Sequence, residues 1–359
     1  MNAREYYYTH INPSHKGKSY QKIYQKEYYE KINERKARKI LNHIPRRSND
    51  RLIEDLIANL TSIHTGKIKQ RIENLFVYKV RDKVSNAGAK EGDKSYWGDL
   101  IAFNVGLSDV CYQFVTVFYD FLELRVDKPK PFMQMQLIVR LTKISMASLE
   151  WEANGNHIQL KEKTIIELIS KQSERKAVGI ATLTDNFILS HEISHHLLGH
   201  TGRANDGLKL INLLPESCRF WEKERGSIAN EFQADAMAIL LMLGVSQDNF
   251  QDKLSSKAQK AFETAMGSLL TLEILKVISL NPNEGSASHP SINKRIEQVQ
   301  CILKVFIEES IFTELMESIN NFGNLIKITK ARVKRNDSVK NVLRDRKLKK
   351  EFDFKNPFI

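Results

Sequence analysis

Cysteine is scarce: the 359 residues include three, Cys111, Cys218 and Cys301, and no CxxC pair. That count excludes a disulfide scaffold and a thiolate zinc ribbon, and it fits a reducing compartment. Long apolar runs are missing as well. A membrane-spanning helix needs roughly 18 apolar residues. The best stretches, residues 236–245 and 100–124, are too short or too polar. The first residues, Met1-Asn2-Ala3-Arg4-Glu5-Tyr6, carry no apolar segment of the secretory kind. Neither a phosphate-binding P-loop nor a GxSxG motif occurs, and no internal repeat of 20–50 residues is evident. A cytoplasmic protein with no membrane span is the expectation.

Against these absences, 42% of the residues are hydrophobic, enough to bury a sizeable core and to exclude global disorder. The net charge is +12, and its distribution matters more than its sum. Residues 1–51 net +8, residues 327–359 net +8, and the 275 residues between them net −4. The basic pI of 9.4 therefore belongs to the two ends. Basic ends suit an acidic partner or nucleic acid, and equally a solvated helix face.

Seven of the eleven tyrosines lie between Tyr6 and Tyr29. Tyr20, Ile23, Tyr24 and Ile40, Leu41, Ile44 approximate a helical stripe that Pro45 ends. Ser48-Asn49-Asp50 caps a helix through Leu60. Residues 87–94 read as a loop and 97–124 as one or two buried helices. Residues 149–160 alternate around Asn154-Gly155, a hairpin signal. Residues 163–171 read as helix, 177–183 as a short strand and 281–288 as a loop. From Asp185 onward the chain reads as mostly helical.

Three blocks carry chemistry. The first is HExxH, His191-Glu192-Ile193-Ser194-His195. On a helix, His191 and His195 are i and i+4, so both imidazoles leave one face and can share a metal. Glu192 is turned about 100° from His191, where it can take a proton from metal-bound water. Asp185 suits the cap of that helix. His196 reads as exposed and His200 as a helix-end residue. The metzincin pattern would need Gly and His where Leu198 and Thr201 stand.

The second block is Asn230-Glu231-Phe232-Gln233-Ala234-Asp235, on an apolar helix that Gly244 stops. Glu231 and Asp235 share a face. Glu231 fits a third metal ligand, and Asp235 fits the acceptor of a ligand imidazole N–H. A carboxylate among Ala234, Ala236, Met237 and Ala238 is costly unless paired. The third block runs His289-Pro290-Ser291-Ile292-Asn293-Lys294-Arg295-Ile296, with Pro290 opening a helix. His289 is placed to steady an oxyanion, or is an ordinary loop histidine. Arg295 is placed to pair with Asp235 or Glu231.

In this order, HExxH, Asn-Glu-x-x-Ala-Asp and His-Pro-x-x-x-x-Arg-Ile resemble the gluzincin metallopeptidases of the CAAX prenyl endopeptidase type. They also share some likeness with phage-exclusion peptidases. The resemblance covers about 50 residues and departs from the membrane members in lacking a transmembrane helix. It implies one zinc ion per chain held by His191, His195 and Glu231. It implies Glu192 as general base, His289 as a further catalytic group, and Asp235 and Arg295 as supports of the ligands.

The fold expected is α+β and predominantly helical, a zincin-like core with a small sheet or hairpin and basic helical arms at both ends. The arms are residues 1–51 and 327–359. The catalytic domain is 52–326, with its zinc-site core at 176–300. Cleavage of a protein or peptide substrate follows, the peptide lying along residues 177–183 with 202–226 as a cover. The alternative is a zinc-stabilised, non-catalytic sensor or nucleic-acid-associated regulator that uses the basic arms.

Overall fold

The computed structural model describes residues 1–26, 30, 34–80, 87–90, 94–126, 131–154, 171–202, 205–254, 259–278 and 289–335. As expected, the described residues are predominantly helical with one small sheet. The first half contains α1 (Ala3–Tyr6), α2 (Tyr20–Tyr24), α3 (Glu34–Leu41), α4 (Arg51–Ile63) and α5 (Gly66–Glu73). The strands β1 (Leu75–Val80), β2 (Ala87–Ala89) and β3 (Asp99–Asn104) follow, then α6 (Val105–Val126) and α7 (Pro131–Asn154). The second half contains α8 (Lys171–Leu197), α9 (Leu208–Ile211), α10 (Gly226–Leu243), α11 (Gln259–Ile278), α12 (Ile292–Phe306) and α13 (Glu309–Arg335). None of the described helices is long and apolar enough to cross a membrane.

The sheet has the order β1-β3-β2. β1 runs parallel to β3, pairing Val77 with Ile101, and β2 runs antiparallel, pairing Gly88 with Ala102. Because side chains alternate along a strand, each face of this sheet draws on its own set. Leu75, Val77, Ile101 and Phe103 enter the main helical core. Phe76, Tyr78 and Leu100 face the other way and meet Ala3, Tyr7, Tyr8 and Tyr96. The N-terminal tyrosines thus cover the outer face of the sheet. Tyr7 stacks on Tyr78 with ring centroids 4.7 Å apart, and Tyr6 stacks on Tyr96 at 4.4 Å.

The helices pack around α8, which contacts α6, α10 and α11 and touches β2 and β3. Helix α8 is buried on nearly every side over its C-terminal half, so it lacks the single apolar stripe of a surface helix. Its crossing with α11 is close. A Cβ added at Gly267 would lie 2.5 Å from the Leu183 carbonyl oxygen, so this position has room only for glycine. Asp50 caps α4, accepting a hydrogen bond from the Ile53 N–H at 3.1 Å, and the helix runs on to Ile63. Gly244 stops α10 in the left-handed region at φ 68°.

Several expectations are corrected. Residues 177–183 are helix, inside α8. Their β-branched residues favour a strand locally, but Ala177 and Ala181 are buried one helical turn apart, and that burial decides. Residues 99–104, read as helix, form β3, because an apolar run buried on both faces carries no period. Residues 149–154 end α7 rather than opening a hairpin. The rest of that hairpin, the helix at 163–170 and the loop at 281–288 lie outside the described residues. Residues 87–89, read as loop, are β2. Asp185 lies within α8 and caps nothing, and Pro290 precedes α12, whose cap is Ser291. Cys218 and Cys301 pair as a disulfide across 83 residues of sequence, and the remaining Cys111 is free and buried. Their wide spacing in the sequence concealed this spatial proximity.

Candidate metal centre and active site

Helices α8, α10 and α12 bring the three blocks together. His191 and His195 leave one face of α8, with their Nε2 atoms 3.2 Å apart. Glu231 from α10 reaches both: Oε2 lies 3.5 Å from His191 Nε2, and Oε1 lies 3.5 Å from His195 Nε2. One ligand atom from each residue falls within a 4.8 Å span. Two imidazole nitrogens and a carboxylate oxygen, all turned to one point, form a donor set that suits zinc and leaves a fourth position for water or substrate.

Each histidine presents its second nitrogen to a partner. His191 Nδ1 meets Asp235 Oδ1 at 2.9 Å. Asp235 is fully buried and held by Arg295 through two 2.7 Å hydrogen bonds, from Nε to Oδ2 and from Nη2 to Oδ1. Arg295 Nη1 also lies 3.7 Å from Glu231 Oε2. The cost of a carboxylate buried among apolar residues is offset here by a paired guanidinium. His195 Nδ1 meets His200 Nδ1 at 3.0 Å, and His200 Nε2 meets Gln233 Oε1 at 2.9 Å.

Titration follows this layout. Burial works against charge on His191, but its hydrogen bonds to Asp235 and Glu231 outweigh it and carry the metal-free imidazole up to about 10. Burial and the neighbouring His191 charge push His195 down to about 3. Burial would raise Glu231 and Asp235, yet the cationic neighbours of each hold both below the usual carboxylate range. Burial raises Glu192.

Glu192 points toward the sheet. The Ala89 N–H of β2 donates to its Oε2 at 2.7 Å. On the next residue, just past β2, the Lys90 N–H donates to the Leu100 carbonyl of β3 at 2.9 Å, so successive backbone groups here serve the site and the sheet in turn. A cleft of about 550 Å³ lies between the two walls. Ala87, Gly88 and Ala89 line one side, and His191, Glu192, His195 and Glu231 line the other. His289 lies at this cleft, 58% exposed, with Nε2 3.6 Å from Glu231 Oε1.

All seven residues singled out from the sequence meet here: His191, Glu192, His195, Glu231, Asp235, His289 and Arg295. Two placements differ. His196 is buried, bonding the Thr201 hydroxyl at 2.8 Å and the Leu100 carbonyl at 3.1 Å, and so ties α8 to β3. Residues 202–226, expected as a cover, contribute no described residue to the cleft lining. Within that segment Trp221 is buried and Cys218 is bonded to α12. Three partners were passed over in the sequence. The Ala89 amide has no side-chain signal. Gln233 is a neutral residue two positions from Glu231. His200 was visible but read as a helix-end histidine.

A family model described as Peptidase U49 matches residues 137–316, half of the chain. The match spans α8, α10 and α12 and therefore all seven of these residues. No curated protein and no solved structure matches the chain.

Proposed function

We propose that this chain, which belongs to the Peptidase U49 family and is a peptidase on that ground, cuts protein substrates as a zinc-dependent endopeptidase of the gluzincin kind. The observation that carries this reading is the convergence of His191, His195 and Glu231 within 4.8 Å, with Glu192 beside them and bonded to an opposing strand. When bound, zinc supplies Lewis acidity to a scissile carbonyl and to water.

The chain's own residues do the rest. His191, His195 and Glu231 hold the ion, and the Asp235–Arg295 pair fixes the His191 ring. Glu192 is the general base. With Oε2 engaged by the Ala89 N–H, its Oε1 takes the water proton and later delivers it to the leaving amine. The raised affinity of buried Glu192 for a proton suits both steps. His289, exposed at the cleft, donates a hydrogen bond to the developing oxyanion.

The substrate lies extended along β2. Among the described residues this strand is a sheet edge, and its residues are Ala87, Gly88 and Ala89, whose small side chains leave its outward backbone groups, apart from the Ala89 N–H that holds Glu192, open to a peptide. The test is direct. Purified protein carries about one zinc per chain and cleaves a protein substrate, found by mapping new N-termini in cells that express it. Glu192→Gln keeps the metal and loses cleavage by at least about 10²-fold. Cleavage that survives this substitution would end the mechanism.

A further inference from the structure

His191 and His195 are supported by different chemistry. The support of His191 is a buried carboxylate. That of His195 is a second, neutral imidazole, His200, which the end of α8 folds back against it. The turn explains how. Gly199 takes the left-handed conformation at φ 75°. The His200 N–H then bonds the His195 carbonyl at 2.9 Å, and the Gly199 N–H bonds the His196 carbonyl at 3.1 Å. These two bonds are the helix-ending turn that glycine permits. They lay the His200 ring edge-on to His195, with centroids 5.1 Å apart.

We propose that His200, itself anchored by Gln233, is a positioning residue that fixes the tautomer and orientation of His195 for metal binding. The inference rests on the zinc-site reading above. The proton count allows one arrangement. For His195 Nε2 to ligate, its Nδ1 must carry the hydrogen. That hydrogen is donated to His200 Nδ1 across 3.0 Å. His200 is then protonated on Nε2, which donates to the Gln233 carbonyl oxygen across 2.9 Å. Gln233 lies two residues from the ligand Glu231 on α10, so one helix supplies a ligand and the anchor of another ligand's partner. A neutral acceptor also adds no fourth carboxylate to a site that already holds Glu192, Glu231 and Asp235 beside the Arg295 guanidinium.

The test measures Zn²⁺ affinity by competition with a chromophoric chelator, alongside the melting temperature of the metal-free protein. His200→Leu is expected to weaken Zn²⁺ binding roughly 10- to 100-fold, as loss of a ligand's hydrogen-bond partner does. His200→Gln, which restores an acceptor, recovers most of that loss. Gln233→Leu weakens binding by a smaller factor and covers the case in which His200→Leu fails to fold. Unchanged Zn²⁺ affinity in folded His200→Leu and in Gln233→Leu overturns the proposal. So does a change of coordination in the Co²⁺ absorption spectrum of His200→Gln, which would make His200 a ligand. Wild-type protein that binds no zinc overturns both readings. Wild type whose single zinc is lost in His191→Ala but kept at full affinity in His200→Leu overturns this one alone.

Discussion

The two walls of the cleft are built from opposite materials. The helical wall, α8 with α10 and α12, concentrates charge: buried Glu192, Asp235 and Arg295, with the largely covered Glu231 and two histidines. The sheet wall offers Ala87, Gly88 and Ala89, whose contribution is backbone. Behind it lie aromatic rings packed for cohesion. The charges of the helical wall hold one another in place, so each is expendable only at the expense of the rest. The sheet wall faces the cleft with groups whose geometry the ladder to β3 sets, and it tolerates change wherever that ladder is spared. On the function proposed above, chemistry falls to the charged wall and substrate docking to the neutral one.

Breaking the helical wall has the largest expected effect. Arg295→Met leaves Asp235 fully buried without its guanidinium and removes a cation beside Glu231. A loss of about 3–5 kcal/mol is expected, because only the His191 imidazolium then remains to offset two closely placed carboxylates, one of them fully buried. Urea unfolding of the metal-free protein measures it. A loss under about 1 kcal/mol would show that the charges of this wall are independent after all.

A second experiment sharpens the same contrast through protons. The metal-free His191 keeps its proton up to about pH 10, where Asp235 and Glu231 override burial. Zinc binding must expel that proton, since only the neutral imidazole ligates. His195, pushed down to about 3, has none to give at neutral pH. Zn²⁺ affinity should therefore rise about tenfold per pH unit between pH 6.5 and 8.5. Calorimetry in buffers of different ionisation enthalpy should report about one proton released. The linkage sign runs the other way for the metal-free fold: its gain from His191 is full below about pH 6.5 and is lost as pH rises through 10.

The helical wall was legible in the sequence because its residues are spaced for it. His191 and His195 are four apart, as are Glu231 and Asp235, and a carboxylate inside an alanine-rich run announces a buried partner. Arg295 was legible as that partner because a lone buried charge is untenable. The sheet wall was not legible. Residues 87–89, Ala-Gly-Ala, have the composition of a loop and become a strand only by pairing with β3. Residues 99–104 hid in an apolar run, and 177–183 looked like the missing strand because β-branched residues mislead when tertiary burial decides. Tyr7 and Tyr8, read only as part of a tyrosine-rich basic arm, pack against Tyr78 and Phe76 of the sheet. The Cys218–Cys301 pair was lost to its 83-residue separation.

The smallest expected effect belongs to the sheet wall, and it tests whether this wall docks substrate. In an antiparallel ladder, neighbouring residues point their backbone groups to opposite sides. The Ala89 N–H bonds Glu192 and the Lys90 N–H bonds β3, so the Ala87 N–H falls on the same side as that of Ala89, toward the cleft. Proline is tolerated on an edge strand where the lost N–H faces outward. Ala87→Pro should then spare the ladder, the Glu192 contact and zinc binding, and remove one hydrogen bond to a bound peptide. One such bond is worth about 0.5–1.5 kcal/mol, so KM should rise roughly two- to tenfold while kcat holds. A fall in kcat with KM unchanged would mean that β2 acts on the chemistry through Glu192 and does not dock the substrate. The division of labour between the walls would then be wrong.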